Sequence, residues 1–156
     1  MPGIKKLYLT IHCLLQLAFV FAQRGEIVFT RSTTVHGLAS SSLNSMLQDD
    51  KGFFWLGTLN GLQRFDGKRF ITYRHNPNDT TSLAGNQVTS LMQDNKKRLW
   101  MSAGVTTGGY PCIFNPVKRN FKKIPVDYPA KGLLYIQSIF QDSKGQIWMV
   151  TGVDGL

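Results

Sequence analysis

What this 156-residue chain lacks excludes several kinds of chemistry. Its two cysteines, Cys13 and Cys112, are too few for a disulfide framework, and Cys13 lies in an N-terminal apolar segment that processing would remove. Histidine is scarce as well. His36 and His75 stand 39 residues apart with no cysteine or carboxylate at ligand spacing, so neither a metal nor another cofactor is expected. No phosphate loop and no nucleophile elbow occurs, which leaves no catalytic residues to name and predicts that this chain is not an enzyme. Nor is there an apolar run of the roughly 18–20 residues that span a bilayer, because residues 7–21 are interrupted by His12 and Gln16.

The same N-terminal stretch reads as a secretory signal. Lys5 and Lys6 precede the apolar run, and Val20-Phe21-Ala22 places small residues where a signal peptidase reads, so cleavage is expected after Ala22 and the mature chain is expected to be exported to the periplasm. Acidic residues number 9 against 18 basic ones, and the net charge of +9 falls only to about +7 without Lys5 and Lys6. A cationic surface attracts anionic polymers. An exported chain rarely meets DNA, however, and its basic residues are dispersed, so nucleic acid is not an expected partner. Two groups stand out, Lys96-Lys97-Arg98 and Lys118, Arg119, Lys122 and Lys123; these read as solvated turns, with an anionic ligand as the sharper alternative.

What the sequence does contain is a cassette repeated three times: SMLQDDKGFFW, SLMQDNKKRLW and SIFQDSKGQIW, starting at Ser45, Ser90 and Ser138. The intervals of 45 and 48 residues fall where internal repeats mean propeller blades or helical arrays. Within each copy, apolar residues precede a polar turn and an apolar-aromatic pair follows it. The turn opens on Asp49, Asp94 or Asp142 and carries Gly52 or Gly145 at its fourth position in two copies, the chemistry of a type I turn closing a hairpin. Asn60-Gly61 and Asp66-Gly67 signal two further hairpins, so the first repeat is expected to be a four-stranded meander over 44–48, 53–58, 62–65 and 69–73. The second is expected over 88–93, 98–102, 111–115 and 120–124, with residues 103–110 forming a lengthened middle loop.

The words QDDKGFFWLGTLNGLQRFDGKRF, with HGLASSSLNSMLQD upstream, resemble the two-component regulator propeller repeat, whose usual form runs Q-D-x-x-G-x-[IL]-W-[IF]-G-T-x-x-G-L-x-[RK]-[FY]. The second copy departs after Trp100, with Met101-Ser102-Ala103 in place of apolar-Gly-Thr, and the third has Val150 for the glycine. The resemblance implies an all-β fold: an incomplete β-propeller of four-stranded antiparallel blades behind a signal peptide. Its expected parts are the signal at 1–22, an N-terminal strand and connector at 23–43, blade 1 at 44–83, blade 2 at 84–132 and a partial blade 3 at 133–156. It also implies that Ile27–Thr30 is a ring-closing strand, and that the chain is the N-terminal fragment of the periplasmic sensor region of a hybrid histidine kinase.

The recurring polar and aromatic positions, Gln48, Asp49, Trp55, Gln93, Asp94, Trp100, Gln141, Asp142 and Trp148, read as scaffold. One acid per repeat at a single turn position is turn capping, and a tryptophan inside a strand of every unit is blade packing. Binding is instead expected on loops, at Asn60, Arg64 and the segment from Val105 to Tyr110. By family analogy the ligand is an extracellular glycan or another small molecule. Further blades, or self-association through open blade edges, are the other expected partners. A secreted propeller enzyme of lyase or quinoprotein dehydrogenase type, or a truncated product without function, are the alternatives.

Overall fold

The computed structural model describes residues 30–105, 108–127 and 135–152, with the isolated positions Gly3, Tyr8 and His12. The chain divides into two compact units, Met1–Arg31 and Ser32–Leu156. In the first, the three isolated positions are helical. The expected cleavage at Ala22 and the strand residues 27–29 lie outside the described residues, and Thr30 belongs to no strand.

Among the described residues the second unit has a short 3₁₀ turn, Thr34–His36, followed by ten strands in three antiparallel sheets. The first sheet is a meander of β1 (Leu43–Gln48), β2 (Phe54–Thr58), β3 (Gly61–Phe65) and β4 (Phe70–Tyr73). The second repeats it with β5 (Gln87–Gln93), β6 (Leu99–Val105), β7 (Gly108–Asn115) and β8 (Asn120–Lys123). The third pairs β9 (Ile136–Gln141) with β10 (Ile147–Thr151). Registers coincide from repeat to repeat: Gln48 faces Phe54, Gln93 faces Leu99 and Gln141 faces Ile147. An irregularity recurs too, next to Ser45 and Ser90 in the first two sheets and between Val150 and Thr151 in the third.

Residues 103–110 correct the sequence reading. Residues 103–105 and 108–110 are paired strand: Ala103 pairs with Tyr110, Gly104 with Gly109 and Val105 with Gly108, so β6 and β7 run on into the expected loop. The loop was expected because the segment is longer than Asn60-Gly61, its counterpart in the first repeat. In fact Gly104 and Gly109, lacking side chains, let the two strands approach where larger residues would meet backbone atoms of the other strand.

Each core lies between adjacent sheets. One cluster joins Trp55, Leu62, Val88, Leu99, Met101, Cys112, Phe114 and Phe121, and the other joins Trp100, Ile136 and Ile139 with Met92, Ile113, Ile147 and Met149 packed against them. Strand β6 is buried at every residue but Val105, which matches a strand covered on both faces rather than one with a wet side. The connector after β4, polar in composition, contributes the fully buried Leu83 to the first cluster. On the other side of the first sheet, the connector before β1 is held by Gln63. Its Oε1 accepts the Ala39 N–H at 2.8 Å, and its Nε2 donates to Gly37 O and Thr72 Oγ1, both at 2.9 Å.

Candidate functional site

The recurring polar residues are bound into the scaffold. In the first turn, Asp49 Oδ1 accepts the main-chain N–H groups of Lys51 and Phe53, and Oδ2 accepts the Trp55 indole N–H at 2.8 Å. Asp94 repeats this with Lys96, Arg98 and Trp100, and Asp142 with Lys144, Gln146 and Trp148. One carboxylate thus shapes the turn and fixes the tryptophan six residues on. The sequence separated these two roles; the constant Asp-to-Trp interval was the signal that joins them.

These bonds also hold two of the acids, Asp94 and Asp142, below the ordinary carboxyl value. Burial alone would push Asp94 up, but the hydrogen bonds from Trp100 and Arg98, with the Arg98 charge, outweigh it and hold the carboxyl below its ordinary value. Asp142 is lowered as well, first by the Trp148 indole and then by main-chain N–H groups of its turn. An acid held ionised and fully engaged by donors is a poor general acid, so these positions are structural.

The glutamines couple the sheets. Gln93 Oε1 accepts the Asp50 N–H at 3.0 Å, and Gln141 Oε1 accepts the Asn95 N–H at 2.7 Å, each reaching back to the turn of the preceding sheet. The amide ends of both return to side chains there, Asp50 Oδ1 and Asn95 Oδ1. Gln48 binds the Gly52 carbonyl of its own turn at 3.2 Å.

The tryptophans differ by context. Trp55 is 3% exposed and meets Phe114 of the second sheet edge-on at 5.1 Å between ring centroids; Trp100 is 7% exposed in the second core. Trp148 is 41% exposed and stacks on Phe140 at 6.4 Å.

The three residues singled out for binding are not brought together. Asn60 sits in the β2–β3 turn, where its Nδ2 donates to Ala39 O and its carbonyl accepts from Arg74 Nε. Tyr110 on β7 lies toward the same end of the sheets, its ring beneath the Lys123 ammonium at 3.1 Å. Arg64 pairs with Trp55 toward the opposite end, where the cassette turns lie. Residues 106 and 107 of the expected binding segment are outside the described residues.

Around Arg64 the structure forms a cavity of about 500 Å³ between the first two sheets, within the size range of small-molecule sites. Its walls come from the Asp49–Phe53 turn, the Lys96–Leu99 segment, Arg64, and the β7 end at Phe114–Pro116. The guanidinium lies 4.5 Å above the Phe53 ring and 6.0 Å from that of Trp55, a cation–π seat that orients it. Its Nε is buried with no hydrogen-bond acceptor. The second sheet has Ile113 at the equivalent position, facing Trp100.

Two features of the described residues bear on metal and thiol chemistry. No group of three His, Cys, Asp or Glu side chains could hold a metal there. Cys112 is free and buried, and burial pushes its thiol up to about 11, far from the thiolate a nucleophile needs. No helix among the described residues is long and apolar enough to cross a membrane.

Comparison with known proteins agrees with this geometry. The family model described as two component regulator propeller matches residues 37–60 and 82–104. Histidine kinase P4 of Formosa agariphila is 44% identical over 63 residues, which are 40% of this chain and 5% of that protein. The extracellular domain of BT3049 from B. thetaiotaomicron, described as a hybrid two component system, superposes with a TM-score of 0.64 at 23% identity over 78% of this chain and 17% of that one. The extracellular domain of BT4673 from the same organism, described as a one component system, gives 0.57 at 31% identity over 70% of this chain and 15% of that one. The chain therefore spans a small part of the length of each, and what it resembles is a sensor domain and not a catalytic one. Its four-stranded sheets are arranged like the blades of a β-propeller, and two stretches of the chain, residues 37–60 and 82–104, match the two-component regulator propeller repeat.

Proposed function

We propose that this chain is the N-terminal, ligand-reading part of an exported two-component sensor, and that what it reads is an extracellular saccharide. Its relay to a kinase belongs to other parts of such a sensor, and the chain itself has no kinase activity. The supporting observation is the division of labour between residues: the recurring Asp, Gln and Trp side chains hold turns and sheets together, while the gap between the first two sheets forms a cavity walled by charged and aromatic groups. Sequence identity to a histidine kinase and a shared fold with extracellular sensor domains point the same way. Export fits Lys5-Lys6 and Val20-Phe21-Ala22, and mass spectrometry of the envelope fraction should find a mature chain beginning at Gln23.

The direct test is a panel of neutral and acidic oligosaccharides screened by calorimetry and melting temperature on the purified chain. A sensor binds one class saturably, gains stability with the logarithm of one plus ligand over dissociation constant, and returns the sugar chemically unchanged. Cleavage or oxidation of the sugar would instead favour a propeller enzyme.

A further inference from the structure

Resting on that ligand-reading role, we infer that the cavity between the first two sheets takes an anionic saccharide, with Arg64 gripping its carboxylate or sulfate group. Five cationic side chains, Lys51, Arg64, Lys96, Lys97 and Arg98, line it against two carboxylates, Asp49 and Asp50. Both carboxylates are engaged. Asp49 accepts from Lys51 N, Phe53 N and the Trp55 indole, and Asp50 accepts from Gln93 and lies 3.9 Å from the Lys97 ammonium. Arg98 is spoken for by Asp94 at 2.6 Å. Lys51, Lys96 and Arg64 therefore face the cavity without a carboxylate partner among the described residues.

Arg64 distinguishes a binding site from a merely basic surface. A guanidinium presents a planar fork of donors that matches a carboxylate or sulfate, and this one is already oriented by Phe53 and Trp55. Its Nε–H has no acceptor within the protein and is covered by neighbouring atoms; leaving it unmet has a cost, which an anion on the fork relieves only by drawing the guanidinium toward the cavity. Lys51 and Lys96 on the same cavity wall supply long-range attraction, while Phe53 and Pro116 give the sugar ring an apolar edge.

The test is isothermal calorimetry on the full chain at low and physiological salt with four probes: trigalacturonate, a sulfated chondroitin disaccharide, maltotriose and sodium sulfate. We expect one or both acidic saccharides to bind, maltotriose at least tenfold more weakly, and affinity to fall with salt. Trigalacturonate alone binding identifies a carboxylate ligand, the disaccharide alone a sulfate ligand; sodium sulfate matching the disaccharide means that the anion alone is read and overturns the saccharide assignment. Arg64→Gln should weaken binding at least tenfold, and Arg64→Lys, which keeps the charge but loses the fork, nearly as much. Lys122→Gln removes an equal charge from an exposed position outside the cavity and should change affinity less than twofold. Equal losses in Arg64→Gln and Lys122→Gln would make the effect general charge and overturn the inference, as would a lowered melting temperature of Arg64→Lys with unchanged affinity. Tight maltotriose binding indifferent to Arg64 overturns the anionic site while leaving the sensor role intact. Turnover of any probe overturns the sensor role itself.

Discussion

Gln141 holds the turn of the neighbouring sheet: its Oε1 takes the Asn95 main-chain N–H at 2.7 Å, and Gln93 does the same to Asp50 at 3.0 Å. The same amide also reaches its own turn, at Gly145 O and Lys97 O respectively. Each glutamine thus ties two hairpins from different repeats into one rim. Net contributions of about 0.5–1.5 kcal/mol per hydrogen bond predict that Gln141→Ala and Gln93→Ala each destabilise the chain by about 1–2 kcal/mol. Amide exchange should quicken at Asn95 in the first variant and at Asp50 in the second. Unchanged exchange at those amides would show that the clamp carries no energy.

Acid should act on the turns. Asp94 is held below its ordinary value, so its contribution is fully present above the unfolded carboxyl value of about 4 and is lost as pH falls through the lower folded value. The melting temperature should stay level from pH 7 to about 5 and drop below about 4. Asp94→Asn should start lower and fall less over the acid range, because the neutral amide has no such proton to take up. A variant whose acid slope equals that of the parent chain would remove Asp94 from the explanation.

Lys97 occupies the turn position that Gly52 and Gly145 fill in the other repeats, with φ of 64° against their 84° and 83°. A side chain in the left-handed region costs about 1–2 kcal/mol, of which glycine's larger unfolded-state entropy cancels a part. Lys97→Gly should therefore stabilise the chain by about 0.5–1 kcal/mol, while Gly52→Ala and Gly145→Ala should each lower stability. Thermal melts of the three variants decide it. A less stable Lys97→Gly would mean that the lysine's packing and its weak pairing with Asp50 outweigh the backbone strain.

The repeats were legible because their determinants are local. Asp at the first turn position, glycine at the fourth and apolar residues on either side specify a hairpin wherever they occur, and β1, β2, β3 and β4 lie within two residues of the expected bounds. The extent of β6 and β7 was hidden for the opposite reason: Gly104, Gly108 and Gly109 look like loop formers until their pairing across two strands is seen. Gln63 and Leu83 were missed because their roles depend on segments distant in sequence, the Gly37–Ala39 connector for one and the second sheet for the other. Site geometry is harder still. Arg64 was named as a loop residue but lies on β3, and the cavity that gathers lysines with it arises only when two sheets stand side by side.

The central claim is that the recurring residues hold the sheets together while the ligand is read in the cavity between the first two. Hydrogen–deuterium exchange on the full chain, with and without saturating trigalacturonate or the sulfated disaccharide, tests it most directly. Protection should appear at 49–53, 96–99 and 113–116, the segments that wall the cavity, and should vanish in Arg64→Gln. Protection confined to the opposite end, around Asn60 and Tyr110, or no protection at a saturating concentration, would contradict the account.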